Sequence, residues 1–79
     1  MISFEMFRKL SLIARKGSLA KAADALYISR PALVQQVKAA EAKLGFAIFE
    51  RTVKGVTLTP AGKMFLDEGE PIIGHFEQL

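Results

Sequence analysis

The sequence contains no cysteine and a single histidine in 79 residues. Without cysteine there is no disulfide and no thiolate metal site, and a reducing compartment is compatible. One histidine, His75, leaves no His pair to bind a metal or relay a proton. It sits in an apolar-rich stretch, where partial packing is expected. No apolar run approaches the roughly 18 residues of a membrane span. The N-terminus lacks a basic segment followed by an apolar stretch, so no signal peptide is expected. Asp67, Glu68 and Glu70 cluster without a ligand pattern and read as a solvated face. Gly45, Gly55 and Gly62 do not form a phosphate loop. With no nucleophile–base or metal constellation, no catalytic or metal residue is assigned and an enzyme is not expected.

What is present suits one small domain. Hydrophobic residues make up 51% of the chain, a globular composition. The formal net charge is +3, which fits a polyanionic partner without establishing one. Its distribution says more. Seven of the eleven basic residues precede Glu41, while four of the eight acidic ones fall between Asp67 and Glu77. The acidic tail is expected to point away from any phosphate backbone.

Periodicity divides the chain into four helices and a hairpin. Met6, Phe7, Leu10, Ile13 and Ala14 form an apolar stripe over Ser3–Lys16, and Gly17 ends that helix. Ser18 caps a second helix, Leu19–Leu26, with Ala22, Ala23 and Leu26 inward. Tyr27-Ile28 connects it to a third, capped by Ser29, with Pro31 in its first turn and an end at Gly45. Leu33, Val37, Ala40 and Leu44 share its buried face. Two helices joined by a tight turn are the pattern of a helix-turn-helix. Ala47–Thr52 and Val56–Thr59 are β-prone and flank Val53-Lys54-Gly55, predicting a two-stranded wing. Thr59-Pro60 starts a last helix, along which Gly62, Phe65, Gly69, Ile72, Phe76 and Leu79 step by three and four. The fold class is therefore mostly α: a winged helix-turn-helix with a three-helix core, a two-stranded wing and a long C-terminal linker helix. Residues 1–58 are assigned to the domain and 59–79 to the linker helix.

That stepping pattern resembles a short coiled-coil seam, and Phe65, Gly69, Ile72, Phe76 and Leu79 are its candidate dimer-interface residues. Phe65, Ile72 and Phe76 are expected to be exposed in a monomer, which favours a two-fold dimer. Pro71 removes an amide, predicting a kink near 69–71. The pattern runs to the last residue, which predicts a cut within a longer helix.

On the third helix, at about 100° per residue, Arg30, Pro31, Val34, Gln35 and Lys38 fall on one arc opposite Leu33. The arc is either a plain solvated face or a set of side chains presented to base edges in the major groove. Arg matches guanine, Gln matches adenine, and an apolar group can touch the thymine methyl. Lys21, Lys38, Arg51 and Lys54 are phosphate candidates. Ser18 and Ser29 cap helices and place amide-rich ends where a phosphate could lie.

Taken together, Gly17-Ser18-Leu19-Ala20-Lys21-Ala22-Ala23-Asp24-Ala25-Leu26 and Ile28-Ser29-Arg30-Pro31-Ala32-Leu33 resemble the helix-turn-helix signature of LysR-type regulators. Glu41, Leu44-Gly45, Ile48-Phe49-Glu50-Arg51, Leu58-Thr59 and Ala61-Gly62 continue the match in register. The resemblance implies sequence-specific binding of double-stranded DNA as the reading head of a bacterial, cytoplasmic transcription regulator acting on the nucleoid. Helix 30–44 would enter the major groove and the wing, 50–56, would meet the backbone or minor groove. The base-contacting positions correspond to Arg30, Pro31, Val34 and Gln35, and the wing arginine to Arg51. The resemblance also implies a homodimer through the linker helix and a tetramer of the full-length protein. A small-molecule effector would bind a further domain, with no cofactor in this part. Family members usually carry Gln at 30, Ser or Thr at 34, Arg at 35 and often Thr at 20. Arg30 and Gln35 here look like the usual pair exchanged, and with Val34 they mean that no operator sequence is carried over from the family; Ala20 implies one phosphate contact fewer. Two other readings stay open: a winged helix of another regulator family, and one used only for protein contacts, which would not need the Arg30, Gln35 and Lys38 face.

Overall fold

A computed structural model describes residues 2–79. In chain order it has α1 (Phe4–Lys16), α2 (Leu19–Leu26), α3 (Arg30–Leu44), β1 (Phe49–Thr52), β2 (Gly55–Leu58) and α4 (Pro60–Glu77). This is the winged helix-turn-helix that the periodicity predicts. Each helix starts where a hydroxyl side chain can take an orphan amide. Ser3 accepts from the Met6 N–H, Ser18 from Lys21, Ser29 from Ala32 and Thr59 from Gly62, at 2.9–3.2 Å. Pro31 and Pro60 sit in the first turns of α3 and α4.

α1 and α3 end on left-handed glycines, but α2 ends on Tyr27, at φ 58° and ψ 37°. Tyr27 is the one non-glycine with positive φ among the described residues. A side chain in this conformation costs about 1–2 kcal/mol. Two backbone bonds hold it there, from the Tyr27 N–H to the carbonyls of Ala23 and Asp24.

The core draws on every helix. Leu10, Ile13, Leu33 and Ile48 are fully buried, joined by Phe7, Leu19, Ala22, Ala23, Val37, Ala40 and Val56. From α4, Leu66 and Ile73 enter the same core, so the linker helix contributes to the core as far as Ile73. Burying a side chain of this size contributes about 1.5–3 kcal/mol. Leu26 and Leu44 lie at the core's margin, half-buried.

Two expectations change. The first strand begins at Phe49 and not at Ala47. The backbone of 47–48 is satisfied elsewhere: the Glu41 carboxylate accepts from the Ile48 N–H at 2.7 Å, and Thr59 bonds the carbonyls of Ala47 and Ile48. Only a two-residue turn, Val53-Lys54, then separates the strands, with Thr52 opposite Gly55. The second concerns α4. Phe65 was expected to be exposed but is half-buried, tilted against the ring of Phe7 and edge-on to Phe46. Gly69 packs under Phe7; a Cβ there would lie 2.3 Å from the ring. Phe65 and Gly69 thus face their own domain, because α1 covers this side of α4. Ile72, Phe76 and Leu79 remain exposed. α4 continues through Pro71 as one helix, and His75, expected to be partly packed, is exposed.

Candidate nucleic-acid interface

The wing is fixed to the helix-turn-helix by backbone. The Val56 N–H donates to the Gly17 carbonyl at 3.1 Å, beside the cap of α2. This approach requires glycine at 55: φ is +135°, and a Cβ would stand 2.2 Å from the Gly17 oxygen. At its other end β1 hangs from α3, through Glu41 and the amides of Ile48 and Phe49. Glu41 was not singled out as a site residue. Its signal in the sequence was its place in the family match, and its position one past Ala40 on the edge of the buried stripe.

Register decides where the wing arginine goes. Arg51 pairs with Val56 and Phe49 with Leu58, so these four share one face of the hairpin. Val56 is buried on that face, and Arg51 reaches past it into the open. Glu50 and Thr57 take the opposite face.

The result is a groove of about 280 Å³ where three elements meet: Ser18, Leu19 and Ala20 of the α2 start, Arg30 of α3, and Arg51, Thr52 and Val53 of the wing. A smaller neighbouring cleft, about 80 Å³, is lined by Val34, Lys38, Glu41, Phe49 and again Arg51. The fold therefore brings together Ser18, Arg30 and Arg51, and beside them Val34, Lys38 and Arg51. Pro31 and Gln35 are exposed on α3 and line neither cleft. Lys21 and Ser29 are exposed on α2 and at the α3 cap, and Lys54 at the wing turn. Val34 is half-buried and packs on the core, so only part of it is offered outward.

Charge is handled unevenly. All ion pairs among the described residues lie on α1 and α4: Arg8 with Glu77, Lys9 with Glu5 at 3.5 Å, and Lys63 with Asp67 at 2.8 Å. The hydrogen bond from Lys63 to Asp67 and the carboxylate's charge raise the ammonium's pKa above its usual value. Lys21, Arg30, Lys38, Arg51 and Lys54 form no ion pair. With Lys43 near the end of α3, six cations thus project from α2, α3 and the wing without an ion pair among the described residues.

Residues 4–63 match the model of the bacterial regulatory helix-turn-helix proteins of the lysR family. The chain belongs to the LysR family. Among its LysR relatives is the Bacillus subtilis HTH-type transcriptional regulator YcgK, 49% identical over 67 residues, 85% of this chain and 21% of that protein. Another is the regulator TfdT of Cupriavidus pinatubonensis, 43% identical over 61 residues, 77% of this chain and 27% of that protein. The chain spans about a quarter of these relatives' length. Among solved LysR structures, the CbnR DNA-binding domain in complex with DNA superposes with a TM-score of 0.87 at 32% identity, covering 98% of this chain and 88% of that one. The BenM DNA-binding domain on catB site 1 DNA gives 0.88 at 28% identity, covering 98% and 83%. The fold is that of a LysR DNA-binding domain.

Proposed function

We propose that this chain reads double-stranded DNA sequence-specifically, as the reading head of a LysR-type transcription regulator in the bacterial cytoplasm, on the nucleoid. Unpaired Arg30 of α3 and Arg51 of the wing, meeting in one groove at the capped start of α2, with Lys38 in the adjoining cleft, are the observation that carries this reading. α3 enters the major groove with Arg30, Pro31, Val34 and Gln35 toward the bases. Ser18, Lys21, Ser29, Lys38, Arg51 and Lys54 hold phosphates, with the wing on the backbone or minor groove. No catalytic step belongs to this reading. The test is affinity for a duplex as salt is raised. Released counterions make the logarithm of affinity fall steeply with the logarithm of salt, and Lys54→Ala flattens that slope by about one. A wild-type slope near zero would leave a protein-contact module instead.

We further propose a homodimer through the end of α4. Phe4 and Phe76 meet edge-on at 4.8 Å, and both stay exposed, as do Ile72 and Leu79. Beside them an apolar groove of about 470 Å³ is lined by Ile2, Phe4, Leu44, Phe65 and Ile72. Soluble monomers seldom leave such a patch open. Sedimentation of the chain at tens of micromolar, roughly the range where a modest dimer forms, tests it; a strict monomer refutes it. A tetramer of the full-length regulator and a small-molecule effector on a further domain complete the proposal.

A further inference from the structure

We infer that Tyr27 is a positioning residue for DNA, its phenol hydroxyl donating to one backbone phosphate beside the entry of α3 into the groove. The inference rests on DNA binding through α3. Tyr27 is 95% exposed, and neither its ring nor its hydroxyl finds a partner among the described residues. It nevertheless occupies the left-handed position that ends α2. Glycine or asparagine fills such a position at lower cost. The fold therefore gains nothing from this side chain and is strained by the backbone that carries it. Strain without a packing return points to a use outside the fold.

Its place in the chain says what that use is. Ile28 is half-buried on the core, and its N–H bonds the Ala23 carbonyl at 3.1 Å, so the turn is held rigidly. Tyr27 stands before that anchor on the open side. After Ile28 come Ser29, the cap of α3, and Arg30, its first residue, both exposed. A tyrosine here offers a neutral donor on a stiff arm, one of the side chains suited to phosphate oxygens. Because phosphate contacts carry no sequence information, Tyr27 sets how α3 sits and not which base it reads. Because the donor is neutral, it displaces no counterion.

The experiment compares the chain with its Tyr27→Phe and Tyr27→Asn variants, on a duplex selected from random DNA and on a scrambled one. Fluorescence anisotropy reads affinity across a salt series, and thermal melting reads stability. Tyr27→Phe is expected to bind both duplexes about three- to tenfold more weakly, the worth of one net hydrogen bond. Its melting temperature and salt slope should be unchanged. Tyr27→Asn should bind as weakly and melt higher, the left-handed strain being relieved. Tyr27→Phe binding like the wild type overturns the inference. So does a loss confined to one base pair, which would make Tyr27 a base reader. Failure of the wild type to bind any duplex is distinct: it removes DNA binding itself, and this role with it.

Discussion

The ion pairs among the described residues all involve α1 and α4. Arg8 meets Glu77, Lys9 meets Glu5 and Gln36, Lys63 meets Asp67, and the Ser11 hydroxyl donates to Glu70. On α2, α3 and the wing, Lys21, Arg30, Lys38, Arg51 and Lys54 have no such partner among the described residues. Exposed pairs stabilise a fold by about 0–1 kcal/mol, so leaving five cations unpaired costs little stability. It leaves Arg30, Lys38 and Arg51 free along two adjoining clefts. The same chain thus has a support, which holds the ion pairs, and a face, whose groove-lining cations are left for a partner.

If that division is right, a core change in the support should act on stability alone. Leu66 is 3% exposed, in the half of α4 that packs on the domain. Leu66→Ala should cost about 2–5 kcal/mol of stability, read by chemical denaturation. Duplex affinity, corrected for the folded fraction, should stay at the wild-type value; an altered base preference would break the division.

Glu41 links the two regions, since it ties the wing to α3. Glu41→Ala leaves the Ile48 amide, next to the core, without its acceptor and should cost about 1–3 kcal/mol. It should also loosen Arg51 and so weaken DNA binding further. Glu41→Gln keeps a neutral acceptor and should recover much of both. Equal loss in the two variants would mean that the carboxylate charge matters more than the hydrogen bonds.

Val34 belongs to both regions, and Val34→Ser should show it in miniature. Losing the methyls that rest on the core should cost about 1 kcal/mol. Preference at a thymine position should shift, with non-specific binding nearly unchanged. Site selection and thermal melting check the two halves of this expectation. A change in melting alone would make Val34 purely a packing residue.

Much of the fold was legible because local signals and packing agree. Ser18, Ser29 and Thr59 cap the helices they were expected to cap, and the stripe Leu33–Val37–Ala40 is buried as its spacing requires. What escaped depends on contacts distant in sequence. The seam on α4 was read from α4 alone, yet Phe7 of α1 covers Phe65 and Gly69. The strand start was read from β propensity, yet Glu41 and Thr59 take the amide and carbonyls of 47–48. For the face, helical spacing placed Arg30 and Lys38 on one exposed arc, but it could not show Arg51 arriving beside them. That convergence needs the hairpin register and the Gly17 to Val56 bond.

The most direct test of the reading face is selection of binding sites from random DNA by the wild type, Arg30→Ala and Arg30→Lys. Arg30 is exposed at the first turn of α3, where its planar fork matches the two acceptors of guanine. The wild type should select a half-site with a guanine at one position and an adenine or thymine nearby. Arg30→Ala should lose about 1–3 kcal/mol on that site and flatten preference at the guanine alone. Arg30→Lys should not fully restore it, because an ammonium is a point charge. Equal weakening on every sequence, with all base preferences intact, would make Arg30 a phosphate contact and contradict the assignment of this face.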